Sequence, residues 1–365
     1  MHKVVTDDSP LSNCLYYKNC INFSVGEPHF GPDKQIIEMI YDKMLINCRY
    51  SNPRGLPELR EKIIKKYNRD YNRNKDTDNV LIGAGVSNLL YMVLTSFLQK
   101  GDEVLLVEPY YFSYKIMLDY IGVEYITISE KFNEEDINAI KDKINLILFS
   151  NPSNPTGYCM SKEQLKLIDN YAKQKDIIVV SDEIYCDFVY ENKFTSMAEI
   201  SEDVIILFGF SKSYSMTGLR LGAAIANKDI INKMLTIQTH TLICVPESIQ
   251  WGGVKALDID ISNRINYYKE NRDYIYDNLK DICDIEKPSA GLYYYLNIGN
   301  SDNFIDFARK KYELLFANGK KFTDKDSSHI RMSFCVSKEM LEVNMNNIIN
   351  CICENRENNS LVNLR

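Results

Sequence analysis

Val204-Ile205-Ile206-Leu207-Phe208-Gly209-Phe210-Ser211-Lys212-Ser213-Tyr214-Ser215-Met216-Thr217-Gly218-Leu219-Arg220-Leu221-Gly222 is the stretch from which the rest of the chain can be read. Its first five residues are apolar and rich in β-branching. That pattern predicts a strand buried on both faces, the kind found in parallel sheets. Lys212 follows a few positions past the end of the strand, and in open α/β sheets ligands bind outside the carboxyl ends of the strands. A desolvated lysine can lose its proton and attack a carbonyl. Arg220, in the turn opened by Thr217-Gly218, is suited to a phosphate. Taken alone, such a Lys/Arg pair reads as solvated surface; the flanking stretches change that reading.

Working back toward the amino terminus, Ile177-Ile178-Val179-Val180-Ser181 is another continuous apolar strand, and it runs into Asp182-Glu183-Ile184-Tyr185. An acid at the end of a buried strand is costly unless it meets a cation, which makes Asp182 informative. Leu146 to Phe149 leads to Ser150-Asn151-Pro152-Ser153-Asn154-Pro155-Thr156-Gly157, a rigid loop with two Asn-Pro pairs. Glu103 to Val107 ends at Glu108-Pro109-Tyr110-Tyr111-Phe112-Ser113-Tyr114, whose four aromatics could provide a face for a planar ring, although core packing takes the larger share for Tyr110 and Phe112. Val80-Leu81-Ile82-Gly83-Ala84-Gly85-Val86-Ser87 is a strand entering small residues and then a helix from Asn88 to Gln99. Small residues before a helix N-terminus suit an anion, and equally suit an ordinary turn. Strands alternate with helices over about residues 80–227, so a largely parallel sheet with crossover helices is expected. All of these stretches lie at carboxyl ends and should meet at one edge.

The flanks are plainer. Residues 1–21 read as an irregular arm, followed by Ile21 to Pro28 as a short strand into a Gly/Pro turn. A helix is predicted from Asp33 to Asn47 with Ile36, Ile37, Ile40, Met44 and Leu45 on one face. Arg49 to Leu56, which contains Tyr50, is a loop by composition. Beyond Arg220 come a strand at Leu221–Ala226, helices, a long charged helix from Arg264 to Leu279, and a carboxy-terminal α+β unit with Arg331 in the short strand His329–Phe334.

The 365 residues suit one large and one smaller domain. Lys+Arg 43 against Asp+Glu 50 gives a net charge of −7, which argues against nucleic acid or an anionic membrane as a partner. No apolar run is long enough to span a bilayer, and the first twenty residues lack a signal-peptide core. Ten scattered cysteines without a CxxC pair read as reduced thiols of a cytoplasmic protein. The four histidines form no ligand motif, so no metal is expected.

Asn154-Pro155-Thr156-Gly157, Asp182-Glu183-Ile184-Tyr185, Ser211-Lys212 and Thr217-Gly218-Leu219-Arg220-Leu221-Gly222 together resemble the class I/II aminotransferases, pyridoxal-phosphate enzymes of fold type I related to aspartate aminotransferase. The resemblance runs from Gly26 to the region of Arg331. It implies an α/β fold with a largely parallel seven-stranded sheet flanked by helices, plus a smaller α+β domain. The implied division is 1–48 (arm and part of the small domain), 49–262 (cofactor domain) and 263–365 (connecting helix and small domain).

It also implies roles. Lys212 would carry the cofactor as an internal aldimine and shuttle the α-proton. Asp182 would keep the ring nitrogen protonated, and its own pKa would then be depressed by that partner. Asn154 and Tyr185 would hydrogen-bond the phenolate oxygen, and Tyr111 would stack on the ring. Gly85, Val86 and Ser87, with Arg220, would bind the phosphate; Arg331 would clamp the substrate α-carboxylate, with Gly26 and Asn154 beside it. Tyr50 matches a tyrosine that reaches the neighbouring subunit's phosphate, implying a homodimer with shared sites.

There are departures from the family pattern. Gly209 stands where a serine often contacts phosphate, Ala317-Asn318-Gly319 replaces a Pro-Gly turn, and no second arginine stands out for a side-chain carboxylate. The expected activity is transfer of an amino group between an amino acid and a 2-oxo acid by a ping-pong route. A lyase or decarboxylase (a carbon–sulfur lyase, for example) would use the same residues. A non-catalytic binding protein of this fold is disfavoured by the intact Lys212 and the lack of any basic extension.

Overall fold

The computed structural model describes residues 10–141, 143–191, 194–325 and 328–362. Seven strands form the large sheet: β1 (Val80–Gly83), β2 (Glu103–Glu108), β3 (Glu124–Ser129), β4 (Leu146–Ser150), β5 (Ile178–Asp182), β6 (Val204–Gly209) and β7 (Gly222–Ile225). Their spatial order is β1-β7-β6-β5-β4-β2-β3. Only β7 runs antiparallel to its neighbours, and the remaining pairings are parallel. The continuous apolar runs arise because both faces are covered. Ile206 and Phe208 of β6 enter one core with Ile147 and Val179, while Ile205 and Leu207 enter another with Leu148 and Val180. This is the period-two alternation of a strand, buried twice.

The reversal of β7 has a functional consequence. Gly83, at the end of β1, and Gly209, at the end of β6, both pair with Gly222 at the beginning of β7. Arg220 immediately precedes β7 and Lys212 follows β6, so the antiparallel step returns the arginine to the edge that carries the lysine.

A second, three-stranded antiparallel sheet holds β8 (Tyr293–Asn297), β9 (Ala317–Asn318) and β10 (His329–Ser333), in the order β9-β10-β8. Helices Ser262–Leu279, Ser301–Tyr312 and Lys338–Val362 accompany it. Its core gathers Tyr268, Ile275, Tyr294, Leu296, Phe304, Ile330, Met332 and Ile348, and it also takes in Phe23, Tyr185 and Phe188. The segment Ile21–Asn22 pairs in parallel with Leu314–Leu315, which fastens the amino-terminal part of the chain to this unit.

Two expectations are corrected. The arm expected to be irregular contains a helix, Pro10–Tyr16. The helix at Lys34–Ile46 buries Ile36 and Ile40 but leaves Ile37, Met44 and Leu45 exposed. Its partner, helix Glu247–Ala256, approaches closely at a glycine: a Cβ at Gly252 would lie 2.6 Å from Ile40. Only the narrow stripe facing that glycine is covered. Elsewhere the predicted elements shift by a few residues; the helix read over 133–141, for example, spans Glu134–Asn138.

Candidate active site

A cavity of ≈ 550 Å³ opens at the carboxyl edge of the large sheet. Its walls include Gly26, Val86, Ser87, Tyr111, Asn154, Asp182, Tyr185, Lys212, Arg220 and Arg331. Ten of the residues singled out from sequence are thus brought together.

Lys212 extends from the turn after β6, and its Nζ donates to the Gly26 carbonyl at 2.5 Å. Burial lowers its pKa; Cys335 and Glu27 oppose the fall, whereas Arg331 and Arg220 add to it. The amine therefore spends more of its time unprotonated than a surface lysine does. Asp182 ends β5 and is buried. One of its oxygens accepts from the Tyr114 hydroxyl at 2.8 Å and the other from the Ile184 N–H at 3.3 Å. Burial pushes its carboxyl up to about 6, against those two hydrogen bonds and the nearby Lys212. The depressed value expected from sequence is not what the chain's own groups produce. They leave Asp182 short of positive charge, so a cation placed against it would be stabilised.

The anion-binding end is built from backbone. Gly85 caps helix Val86–Phe97 at φ 81° without a side-chain cap. A Cβ there would sit 2.6 Å from an Arg220 guanidinium nitrogen, so only glycine lets Arg220 lie against the helix N-terminus. Arg220 itself adopts φ 52° and donates to the Thr217 carbonyl at 2.8 Å. A left-handed arginine costs about 1–3 kcal/mol, which a ligand-directed placement would explain. Unpaired N–H groups, the helix dipole and a guanidinium all converge on one spot. Gly209 brings no hydroxyl to this end of the site. The space for its Cβ is already occupied, with Ile184 at 2.9 Å and Val86 at 3.0 Å.

Arg331, in β10, is 3% exposed. It donates to Asn154 Oδ1 at 2.9 Å and to the Ser24 carbonyl at 2.6 Å. It stacks over Tyr293, 4.1 Å from the ring centre, and over Phe322 at 4.9 Å. Its Nε has no hydrogen-bond partner. Among the described residues, no carboxylate pairs with Arg331 or with Arg220. A buried guanidinium held only by neutral acceptors is costly until an anion reaches it. With Asn154 Oδ1 engaged, the amide nitrogen is left as the donor facing the cavity.

These features agree with a family match. The model of "Aminotransferase class I and II" covers residues 18–348. The chain belongs to the class I and II aminotransferases. As one of these aminotransferases it is 33% identical to a probable aspartate aminotransferase of Methanocaldococcus jannaschii, over 90% of this chain and 92% of that one. The solved aspartate aminotransferase of Thermotoga maritima superposes with a TM-score of 0.89 at 26% identity, covering 95% of this chain and 97% of that one. A Methanococcus jannaschii structure, described as similar in its active site to kynurenine aminotransferases, matches with a TM-score of 0.86 at 29% identity, over 94% and 95% of the two chains.

The aminotransferase site also contains residues to which the sequence reading gave no role, and Phe112, read there as core, lines the cavity. Tyr114 is the hydroxyl on Asp182. Tyr293 shares a hydrogen bond with Tyr185 at 2.9 Å. Its hydroxyl also occupies the space where a Gly26 Cβ would be, 1.6 Å away. Nothing local marked either residue, since both sit in tyrosine-rich runs; the alternation along Gly291–Ile298 offered a weak signal that Tyr293 and Tyr295 share a face. Tyr50 is not among the residues lining the cavity; it is 79% exposed.

Proposed function

We infer that this aminotransferase uses pyridoxal 5'-phosphate to move an amino group between an amino acid and a 2-oxo acid by a ping-pong route. The observation that carries this is the buried pair Asp182 and Arg331 flanking Lys212, each without an ion-pair partner among the described residues. The residues fit the cofactor. A pyridinium would supply the cation that Asp182 lacks, and a phosphate would suit Arg220 and the helix N-terminus at Gly85, Val86 and Ser87.

When bound, the cofactor supplies an aldehyde for the amino group and a ring that accepts electrons. Asp182 would hold a proton at the ring nitrogen. Tyr111 would offer its ring to the cofactor's face, and Asn154 and Tyr185 would hydrogen-bond its phenolic oxygen. Arg331 binds the α-carboxylate and so sets which bond at the α-carbon faces Lys212. Lys212 Nζ, lowered in basicity and hydrogen-bonded to the Gly26 carbonyl, would take the proton from the substrate α-carbon and deliver it to the cofactor carbon that holds the amino nitrogen. The Gly26 carbonyl, set against Lys212 Nζ, covers one side of the amine.

The same reading covers the assembly. Tyr41, Met44, Leu45 and Ile46 leave an exposed apolar face just before the exposed Tyr50. A homodimer would cover that face and let Tyr50 reach the partner's phosphate. The division into 1–48, 49–262 and 263–365 and a cytoplasmic location belong to this proposal too; no helix among the described residues is long and apolar enough to cross a membrane. The test is a half-reaction. The chain loaded with pyridoxal phosphate should convert it to the pyridoxamine form with an amino acid and return it with a 2-oxo acid. Release of ammonia or of pyruvate without that return would favour the lyase alternative.

A further inference from the structure

The wall beside Arg331 bears on which amino acids the site accepts, a question that rests on the aminotransferase reading. Three cationic side chains line the cavity among the described residues: Lys212, Arg220 and Arg331. Each already has a task, as amine, phosphate ligand and α-carboxylate ligand. An amino acid anchored at Arg331 with its amino group toward Lys212 sends its side chain along the remaining wall. That wall is Pro10, Val25, Tyr111 and Phe112, with Tyr293 beneath the guanidinium. Phe112 is fixed there by edge contacts with Tyr111 at 4.8 Å and Phe322 at 6.0 Å between ring centres. Phe322 in turn stacks on Arg331, so the aromatic wall and the carboxylate clamp form one packed unit. Two carboxylates also line the cavity: Asp182 has its task at the ring nitrogen, and Glu27 accepts from the Thr217 hydroxyl. Its negative charge opposes a second carboxylate on the substrate.

We propose that the side-chain end of this cavity selects amino acids with a bulky apolar or aromatic side chain over dicarboxylates, with Phe112 as a specificity-determining residue. Burial of apolar surface on Pro10, Val25 and Phe112 favours the former. The latter would bring a carboxylate to a wall to which the described residues of this chain bring no further cation.

Two measurements on the purified chain decide it. First, the protein loaded with pyridoxal phosphate is followed by absorbance with L-phenylalanine, L-leucine, L-alanine and L-aspartate. Phenylalanine and leucine should react at least tenfold faster than aspartate at equal concentration. Phe112→Ala should lower the phenylalanine-to-alanine rate ratio at least fivefold. Second, calorimetry with the unreactive acids 3-phenylpropionate and succinate should show at least tenfold tighter binding of the former. Aspartate reacting as fast as phenylalanine, or succinate binding more tightly, overturns the proposal and leaves the aminotransferase reading intact. Absence of reaction with all four amino acids overturns that reading instead, and the acid-binding comparison still decides the wall's preference. If Phe112→Ala does not fold, the wild-type rates and the wild-type acid binding decide between bulky apolar side chains and dicarboxylates.

Discussion

Two buried arginines in the smaller unit have opposite surroundings. Arg272, in helix Ser262–Leu279, is fully buried, and its guanidinium meets Glu191 at 2.5 Å, Asp273 at 2.6 Å and the Pro288 carbonyl at 3.1 Å. It also lies over Tyr190 at 4.8 Å. Arg331 is almost as buried, but it contacts only an amide oxygen, a carbonyl and two rings, and one nitrogen is unpartnered. A cation that brings its own counter-charges contributes to folding. One left without them holds free energy that an anionic ligand can release. The difference separates structure from function in two side chains of the same type.

The largest expected effect is on catalysis. Arg331→Lys keeps the charge but cannot form a bidentate fork, and should lower kcat/KM for amino acids about 100- to 1000-fold. Its melting temperature should stay near that of the wild type. A loss below tenfold, measured by half-reaction kinetics, would remove Arg331 from the carboxylate site. Arg272→Met should do the reverse. It should cost about 2–4 kcal/mol of unfolding free energy in a denaturant titration, while the turnover of the folded fraction stays within about threefold. A catalytic defect without destabilisation would erase the contrast between the two arginines.

Two neighbouring acids differ in another way: neither forms an ion pair among the described residues and burial raises both carboxyls, but Asp182 lines the cavity and Glu183 does not. Glu183 follows Asp182 but accepts from the Ser181 and Ser196 hydroxyls and the Met197 N–H, away from the main cavity. Burial pushes its carboxyl from 4.5 up to about 7. A carboxyl raised on folding binds its proton more tightly in the native state. The stability it contributes is present below pH 4.5 and is lost as pH rises through about 7. Glu183→Gln should therefore reduce the loss of stability between pH 5 and 8 by up to roughly 3 kcal/mol. An unchanged pH profile would mean that Glu183 is charged in the folded chain. The smallest effect is at Tyr50: Tyr50→Phe should weaken cofactor retention by about 0.5–1.5 kcal/mol if its hydroxyl serves a partner's phosphate. Equilibrium dialysis showing no change would place Tyr50 outside the shared site.

What could be read from the sequence was whatever depends on strand order and local chemistry. Asp182, Lys212 and Asn154 each lie just after an apolar run, and parallel strands put such positions on one edge. Arg220 was legible as a residue, but the antiparallel turn of β7 that returns it to that edge is a feature of pairing. Tyr114 and Tyr293 were hidden because their partners, Asp182 and Tyr185, are 68 and 108 residues away. The depressed pKa expected of Asp182 assumed a cation against it that the described residues do not provide. The apolar face of helix Lys34–Ile46 misled because periodicity marks which residues are apolar and not how wide a stripe the partner helix covers.

The central claim is that Lys212 is the amine that bonds to the cofactor. Borohydride reduction of the chain loaded with pyridoxal phosphate, followed by peptide mass mapping, tests it most directly. The account predicts a phosphopyridoxyl group on Lys212 and none after Lys212→Ala; a label on a different lysine, or no label at all, would contradict it.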